Sequence, residues 1–434
     1  MTAAPKHDAD RLLGPSGGLP QALPPWPARD GLRVTAVRAI VTAPEGTPLV
    51  VVRVDTSEPG LYGLGCATFT QRYAAVAAAV DDHLAPLVIG RHPADIEDIT
   101  RLIHYSSYWR GGPVLNNALS GVDQALWDIA GKRAGMPVYE LLGGRSRAAV
   151  EVYSHAAGAT IDETLEQAEA LIDQGYRNVR LQVGGPGLGT YGAPGTPGGY
   201  PRSPHPDGWD AERYLRATPG LFAAARDRLG DRVNLMHDVH SRLTPKQAVV
   251  LARALEPYRL SFLEDVVAPE YYDRLPEVRA TSPVPIAVGE QIGAVTDAAR
   301  LIRDGGVDLL RLHTSAIGGL TPTRKLVALA ELFGVRTAFH SPGDISPVGV
   351  AANMAVDIST PAFGYQESHD YNDATHEVFP GTPVVRDGHL YPSNAPGWGV
   401  DLDEKAALRY PPTRFLHERW AAQVRRPDGG LEPP

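Results

Sequence analysis

The chain has 434 residues, 43% hydrophobic and 21% charged, with a net charge of −9 and a pI near 5.9. That balance describes a globular protein long enough for two or three domains or one elaborated barrel, and it argues against nucleic acid or an anionic membrane as partner. Cys66 is the only cysteine, so no intrachain disulfide can form and a reducing cytoplasm is the expected compartment. Its residue type suits a buried small apolar side chain better than a nucleophile. An acidic chain that takes an anionic substrate needs a local offset, and a bound divalent cation would supply one.

Met1 to Asp30 mixes acids, prolines and glycines without the apolar core of a signal peptide, and reads as a Pro/Gly-rich arm over 1–30. No apolar run approaches the roughly 20 residues of a membrane span. Leu32 to Val54 alternates and is rich in valine, which predicts a two-strand hairpin, and Tyr62–Cys66 predicts a third strand. Helical spacing follows over Tyr73–Leu87, Asp95–Tyr108 and Asn116–Ala134, the last with Leu119, Val122, Ala125, Leu126 and Ile129 on one face. Strands followed by helices predict an α+β domain over 31–148.

From Val150 the grammar changes to strand, helix, strand, helix. Strands are predicted at Glu151–Ser154, Asn178–Val183, Val233–His237, Leu260–Leu263, Pro285–Val288, Leu309–Leu312, Arg336–Phe339 and Phe363–Gln366. Helices are predicted at Asp162–Gln174, Pro245–Leu255, Glu270–Ala280, Val295–Arg303, Thr321–Leu332 and Pro347–Met354. Thr244-Pro245 and Thr321-Pro322 each offer an N-cap followed by a proline at the first helical position. Eight strands with helical crossovers predict a closed barrel over 149–385 rather than an open sheet. Gly184-Gly185-Pro186-Gly187 follows the second strand but opens no helix, so a nucleotide site is not expected. Gly184 to Trp209 is a long loop of Gly, Pro and Tyr on the expected catalytic face, a place that favours a lid.

The chemistry-bearing residues recur at one interval. Asp238, Glu264 and Glu290 are 26 residues apart (264 − 238 and 290 − 264), and His340 and Glu367 continue the series at 367 − 340 = 27. Each closes a short apolar run, and roughly 25–30 residues is the length of one strand–helix unit with its loops. Charged groups at the same end of successive strands converge on one face of a parallel barrel. Three carboxylates there make a hard, all-oxygen site suited to Mg²⁺, whereas zinc would call for His or Cys. For any single acid, an arginine pair or a helix cap is as good an explanation; for three in register it is much weaker. His240, two residues beyond Asp238, would share its inward face on a strand, while His237 alternates away and reads as structural. For His313 a satisfied core histidine is at least as good a reading as a contact with the site.

The pattern resembles the enolase superfamily and, within it, the mannonate dehydratase family. The residues that carry the resemblance are Asn116-Asn117-Ala118-Leu119-Ser120-Gly121-Val122-Asp123, Arg180-Leu181-Gln182, Pro186-Gly187-Leu188 with Thr190-Tyr191-Gly192, and His237-Asp238-Val239-His240. Leu243-Thr244-Pro245, Leu263-Glu264-Asp265, Ala287-Val288-Gly289-Glu290 and the closing Ala395-Pro396-Gly397 with Gly399 to Lys405 belong to it as well. The match runs from about residue 32 to the C-terminal region. It implies a modified TIM barrel, (β/α)7β, with an N-terminal α+β capping domain to which residues 386–434 return. It also implies one Mg²⁺ per subunit on Asp238, Glu264 and Glu290, and a symmetric homo-oligomer, a tetramer or octamer.

The implied activity is dehydration of a sugar acid, D-mannonate or D-gluconate: the C2 proton is abstracted, the C3 hydroxyl leaves, and a 2-keto-3-deoxy aldonate forms. Relatives with a lysine pair on the second strand differ from this chain, whose strand reads Val179-Arg180-Leu181-Gln182-Val183. Arg180 would instead lower the pKa of Tyr191, making that tyrosine the base. His240 would be the acid for the departing hydroxide. Asn117, Arg311, His340, Asp344 and Glu367 are the implied substrate-binding residues. The chain departs from the family at His340-Ser341-Pro342-Gly343-Asp344, where His-Gly is usual, and at Leu312-His313-Thr314, where an Asp often supports the seventh-strand histidine. Two other readings stay open: an epimerase or racemase acting on the same enediolate, and a non-catalytic, starvation-sensing type of homologue that retains the metal site.

Overall fold

Alternating valines build the first sheet. In the computed structural model, whose described residues are 30–184, 208–412 and 426–430, β1 (Val34–Thr42), β2 (Leu49–Thr56) and β3 (Tyr62–Cys66) form an antiparallel sheet in that order. The helix Pro113–Ala134 lies on β3 with no room for side chains between them. A Cβ added to Gly63 would lie 1.9 Å from the Ala125 carbonyl oxygen, and one added to Gly65 would lie 2.0 Å from that of Gly121. Proline starts this helix and Gly135, at φ 68, ends it in the left-handed region. The helix expected over Tyr73–Leu87 is broken into Tyr73–Ala78, a π-helical turn Ala79–Leu84 and Ala85–Val88, where Pro86 has no N–H to donate back to Asp82.

The barrel strands are β4 (Val150–Gly158), β5 (Asn178–Val183), β6 (Asn234–Asp238), β7 (Phe262–Glu264), β8 (Ile286–Val288), β9 (Leu309–Leu310), β10 (Arg336–Phe339) and β11 (Phe363–Glu367). Each is parallel to the next, and β11 pairs with β4 to close the ring. Seven crossover helices among the described residues join eight strands, the (β/α)7β arrangement. One of them, Ala211–Leu229, carries no sequence signal that survives Thr218-Pro219-Gly220, which reads as a break. Asp210 caps it by accepting from Arg213 N, and burial of Tyr214, Leu221, Phe222, Ala225 and Leu229 holds it across the internal proline. No helix among the described residues is long and apolar enough to cross a membrane.

Period-two alternation sorts the barrel interior into layers. Tyr153, Met236, Phe262, Ala287, Leu309, Ala338 and Tyr365 form an apolar floor. Two residues further along most of these strands the same inward side carries His155, Asp238, Glu264, Arg311, His340 and Glu367. The polar layer therefore stands on the apolar one, at the C-terminal end of the strands.

After the barrel, β12 (Val385–Arg386) and β13 (His389–Leu390) form a hairpin that adds antiparallel to the start of β4. The chain then runs back to the first domain, where buried Asp128 organises the junction. Its Oδ1 accepts from Trp398 N (2.9 Å), and its Oδ2 accepts from Leu64 N (2.9 Å) and Lys132 Nζ (2.7 Å). Glu404 pairs with Arg38 at 2.6 Å and Arg53 at 3.0 Å.

A second buried acid joins the first domain to the barrel. The helix Leu320–Leu332 begins at Gly319, which has no side chain to cap it. Asp123 supplies the cap, with Oδ2 accepting from Thr321 N (3.0 Å) and Oδ1 from Thr100 Oγ1 (3.0 Å). Burial outweighs those hydrogen bonds and pushes Asp123 from the ordinary 3.8 up to about 6. The folded chain thus keeps a proton that the unfolded chain releases, so this acid's contribution is full below the unfolded value and lost as pH rises through 6. We predict that between about pH 4 and 7 the wild type loses on the order of 3 kcal/mol relative to Asp123→Asn. Urea unfolding of both proteins across that range measures it, and parallel pH profiles would refute it.

Candidate active site

Each strand end delivers one side chain. Asp238 and Glu264 are register partners on β6 and β7, so the convergence expected from the 26-residue interval is present. Arg180 of β5 lies between the acids, its Nη1 2.5 Å from Glu264 Oε1, 3.4 Å from Glu367 Oε1 and 3.7 Å from Asp238 Oδ2. Arg311, just past β9 and only 1% exposed, is the second buried guanidinium. It reaches Glu264 at 3.0 Å through Nε and Glu367 at 2.5 Å through Nη2, and it pairs with Glu290 through Nη1. Arg311 Nε also donates to Tyr153 Oη (3.2 Å), and Tyr153 Oη donates to Glu264 (3.4 Å). His155 stands 2.6 Å from Glu367.

The cluster is short of positive charge. Burial pushes Asp238 and Glu264 above the ordinary carboxylate range although Arg180 and Arg311 pull them down, and it pushes Asp265 well above. Glu290 behaves oppositely: burial would raise it, but His340 and Arg311 outweigh that and hold it below the usual range. His340 is the complement. Burial opposes its charge, yet Glu290 at 2.8 Å and Asp344 at 3.5 Å bring it up to about 10, a cation at neutral pH.

Among the described residues, the group whose ligand atoms all lie within 4.8 Å of one another is Asp238, Glu264 and Asp265. Glu290, expected as the third ligand, is turned toward Arg311 and His340. Asp265 belongs to the family pattern in the sequence but has no ligand role there, because strand alternation points a residue next to Glu264 the other way. Its φ of 40° reverses that and brings the carboxylate inward, where neither oxygen has a partner among the described residues. Oxygen donors alone, buried and short of cation, suit a hard divalent ion such as Mg²⁺.

Above the metal-type acids a cavity of about 380 Å³ opens between the two domains. From the barrel it is lined by His240, Glu290, His313, His340 and Asp344, and from the first domain by Asn117 and Gln71. Asn116 sets this junction: its Nδ2 donates to Gly293 O (2.5 Å) and Ala316 O (2.7 Å), in the loops after β8 and β9. His240 reaches the cavity by a different route from the expected strand alternation. β6 stops at Asp238, and His240 sits in a left-handed turn at φ 54° with its N–H on Asp238 Oδ1 (2.6 Å). Burial pushes its pKa down to about 4, leaving a neutral ring that still carries one N–H. His237 is structural, donating from Nδ1 to Leu181 O (2.8 Å) with Tyr214 Oη 2.5 Å from its Nε2.

Of the expected site residues, Arg180, Asp238, His240, Glu264, Glu290, Arg311, His340 and Glu367 are brought together, and Asn117 and Asp344 line the same opening. Tyr191 and the loop expected as a lid, with Pro186–Leu188, Thr190 and Gly192, lie outside the described residues, as does the 1–29 arm. The sequence reading missed Tyr153 and His155, which two-residue alternation along β4 would have found, and Asp265, which it could not.

Residues 29–143 match the family described as "Mandelate racemase / muconate lactonizing enzyme, N-terminal domain", and residues 163–406 match "Enolase C-terminal domain-like". A D-galactonate dehydratase family member from Catenulispora acidiphila is 83% identical over 427 residues, 98% of this chain and 100% of that one. The chain belongs to the D-galactonate dehydratase family of the enolase superfamily. A crystal structure of an enolase from Pantoea ananatis with bound D-gluconate and Mg is 48% identical, covers 93% of this chain and 100% of its own, and superposes with a TM-score of 0.88. A crystal structure of "a putative Mandelate racemase/Muconate lactonizing enzyme" from Labrenzia alexandrii is 26% identical, covers 88% of this chain and 97% of its own, and has a TM-score of 0.77.

Magnesium should raise the stability of this protein, by about 2.7 kcal/mol at roughly 100 times the dissociation constant. Asp238→Asn should remove most of that gain. Thermal unfolding with and without magnesium tests it; an equal gain in the variant would rule out the site.

Proposed function

We propose that this protein is a magnesium-dependent sugar-acid dehydratase. It would remove the C2 proton of an aldonate, D-mannonate or D-gluconate, and lose the C3 hydroxyl as water. The observation that carries this reading is the buried, cation-deficient acid layer of Asp238, Glu264 and their neighbours, opening into a cavity lined by neutral and charged hydrogen-bonding groups. The D-gluconate and Mg bound by the Pantoea ananatis relative support it. Asp238 and Glu264, with Glu290 or Asp265, would hold the ion, which supplies Lewis-acid charge to the substrate carboxylate.

The chain's own groups would do the proton work. Arg180 is fixed by Glu264 and Glu367 and would keep Tyr191 partly ionised for abstraction at C2. His240 faces the cavity and in its protonated form would protonate the departing hydroxyl, a step favoured at the acid end of the pH range because burial holds its pKa low. His340 and Asp344 would orient the sugar hydroxyls as a charged pair, and Asn117, Arg311 and Glu367 complete the proposed substrate-binding set. Arg311 and Glu367, each only 1% exposed, would act mainly by fixing the charge layer beneath the substrate.

A panel of aldonates assayed with magnesium for 2-keto-3-deoxy product tests the activity, and no product from any member would overturn it. Tyr191→Phe should abolish exchange of the C2 proton with solvent deuterium. His240→Asn should keep exchange while losing elimination, because only the leaving group then lacks its proton. A Tyr191→Phe variant that exchanges at the wild-type rate would exclude this base.

Turnover of D-mannonate should be slow. Pro342 has no N–H and disfavours helical backbone at Ser341, whose side chain is wholly buried beside His340 while its N–H donates to Glu367 (2.9 Å). That leaves the segment next to the substrate-facing histidine little freedom to adjust. A kcat/KM below about 10⁴ M⁻¹s⁻¹ is expected, and steady-state kinetics giving a higher value would refute it.

A further inference from the structure

His313 has no role in the chemistry above, yet it stands at the cavity. Arg311 N donates to Val288 O and His340 N donates to Leu312 O, both at 3.0 Å, so the parallel ladder continues past β9 as far as Leu312. Alternation then puts His313 on the same inward side as Arg311, about 6–7 Å nearer the mouth. Its ring lies 4.9 Å from that of His340. Its Nε2 is buried with no hydrogen-bond partner among the described residues. Across the cavity, Asn117 donates from Nδ2 to Pro113 O (2.7 Å), which leaves its Oδ1 buried and without a partner among the described residues. Two buried polar atoms from different domains thus lack hydrogen bonds at one opening, an arrangement that is unfavourable until something fills it.

Resting on the sugar-acid reading of this cavity, we propose that His313, together with Asn117, binds a hydroxyl of the aldonate chain beyond C3 and so selects among aldonates. Burial, then the neighbouring His340 cation, pushes His313 down to about 3, so its ring is neutral and offers one donor and one acceptor. Asn117 Oδ1 is an acceptor. A hydroxyl can satisfy both partners, whereas a carboxylate or phosphate only accepts and leaves Asn117 Oδ1 without a donor, and the His340 cation that could attract an anion is already paired with Glu290 and Asp344. The position fits as well, since the anionic end of the substrate belongs with the metal-type acids deeper in the barrel.

Calorimetric binding in saturating magnesium tests the assignment, using D-gluconate, D-mannonate and D-galactonate with analogues of the tightest binder lacking one hydroxyl at C4, C5 or C6. Wild type should bind at least one deoxy analogue about 10–100-fold more weakly than its parent. His313→Leu should weaken parent binding by a similar factor and lose the discrimination, and His313→Asn should recover part of it. The magnesium-induced rise in unfolding temperature should persist in both variants. Equal affinity of wild type for the parent and every analogue overturns the assignment without reference to any variant. Unchanged discrimination in His313→Leu also overturns it, while the sugar-acid reading stands. No binding of any of the three aldonates by magnesium-loaded wild type overturns both.

Discussion

The organising constraint is a surplus of carboxylates in a place with little water. Asp238, Glu264, Asp265, Glu290 and Glu367 crowd the C-terminal end of one barrel, and removing such charges from water is costly unless opposite charge is fixed beside them. Arg180 and Arg311 supply part of it and His340 a third positive charge, each reaching more than one acid, and a deficit is left. The acids that stay above the ordinary range, despite two guanidiniums, mark where a further cation belongs. Stability and chemistry share this layer, because the same deficit that destabilises the metal-free fold gives the metal its affinity.

The floor under that layer is what keeps it in place. Tyr153, Met236, Phe262 and Tyr365 fill the barrel with rings and a thioether, and Tyr153 also sends its hydroxyl upward to Glu264. The mouth is closed from the other side by the first domain. Neighbouring asparagines divide the work there: Asn116 ties the helix to two barrel loops, and Asn117 turns toward the cavity. The glycines of β3 let that helix lie in backbone contact against its own sheet, while the side chains of Asn116 and Asp123 tie it to the barrel.

Much of the barrel was legible because its signals are local and repeated. β5 and β10 and the helices Pro245–Leu255 and Val295–Arg303 have the boundaries expected from apolar runs, caps and prolines. The 26-residue interval placed Asp238, Glu264 and Glu290 at the C-terminal ends of successive strands from residue order alone. What escaped lacked a local signal. Ala211–Leu229 crosses its own proline because tertiary burial offsets the missing hydrogen bond. The Tyr73–Leu87 helix fragments because a π-turn absorbs Pro86.

The sequence by itself determined the class of the protein: repeated strand–helix units, acids at their ends and the family pattern follow from spacing and residue type, which survive without knowledge of packing. The tertiary structure decided which atoms meet. Positive φ at Asp265 turns inward a side chain that alternation would send away, and at His240 a turn does what a continued strand was expected to do; such backbone states are chosen by surrounding contacts, not by residue type. Arg311 is a substrate-binding candidate in the sequence, and the fold adds that Glu264, Glu290 and Glu367 enclose it, so that its guanidinium also anchors the charge layer. That enclosure is a matter of distance and burial, and only the folded barrel brings residues 264, 290, 311 and 367 together.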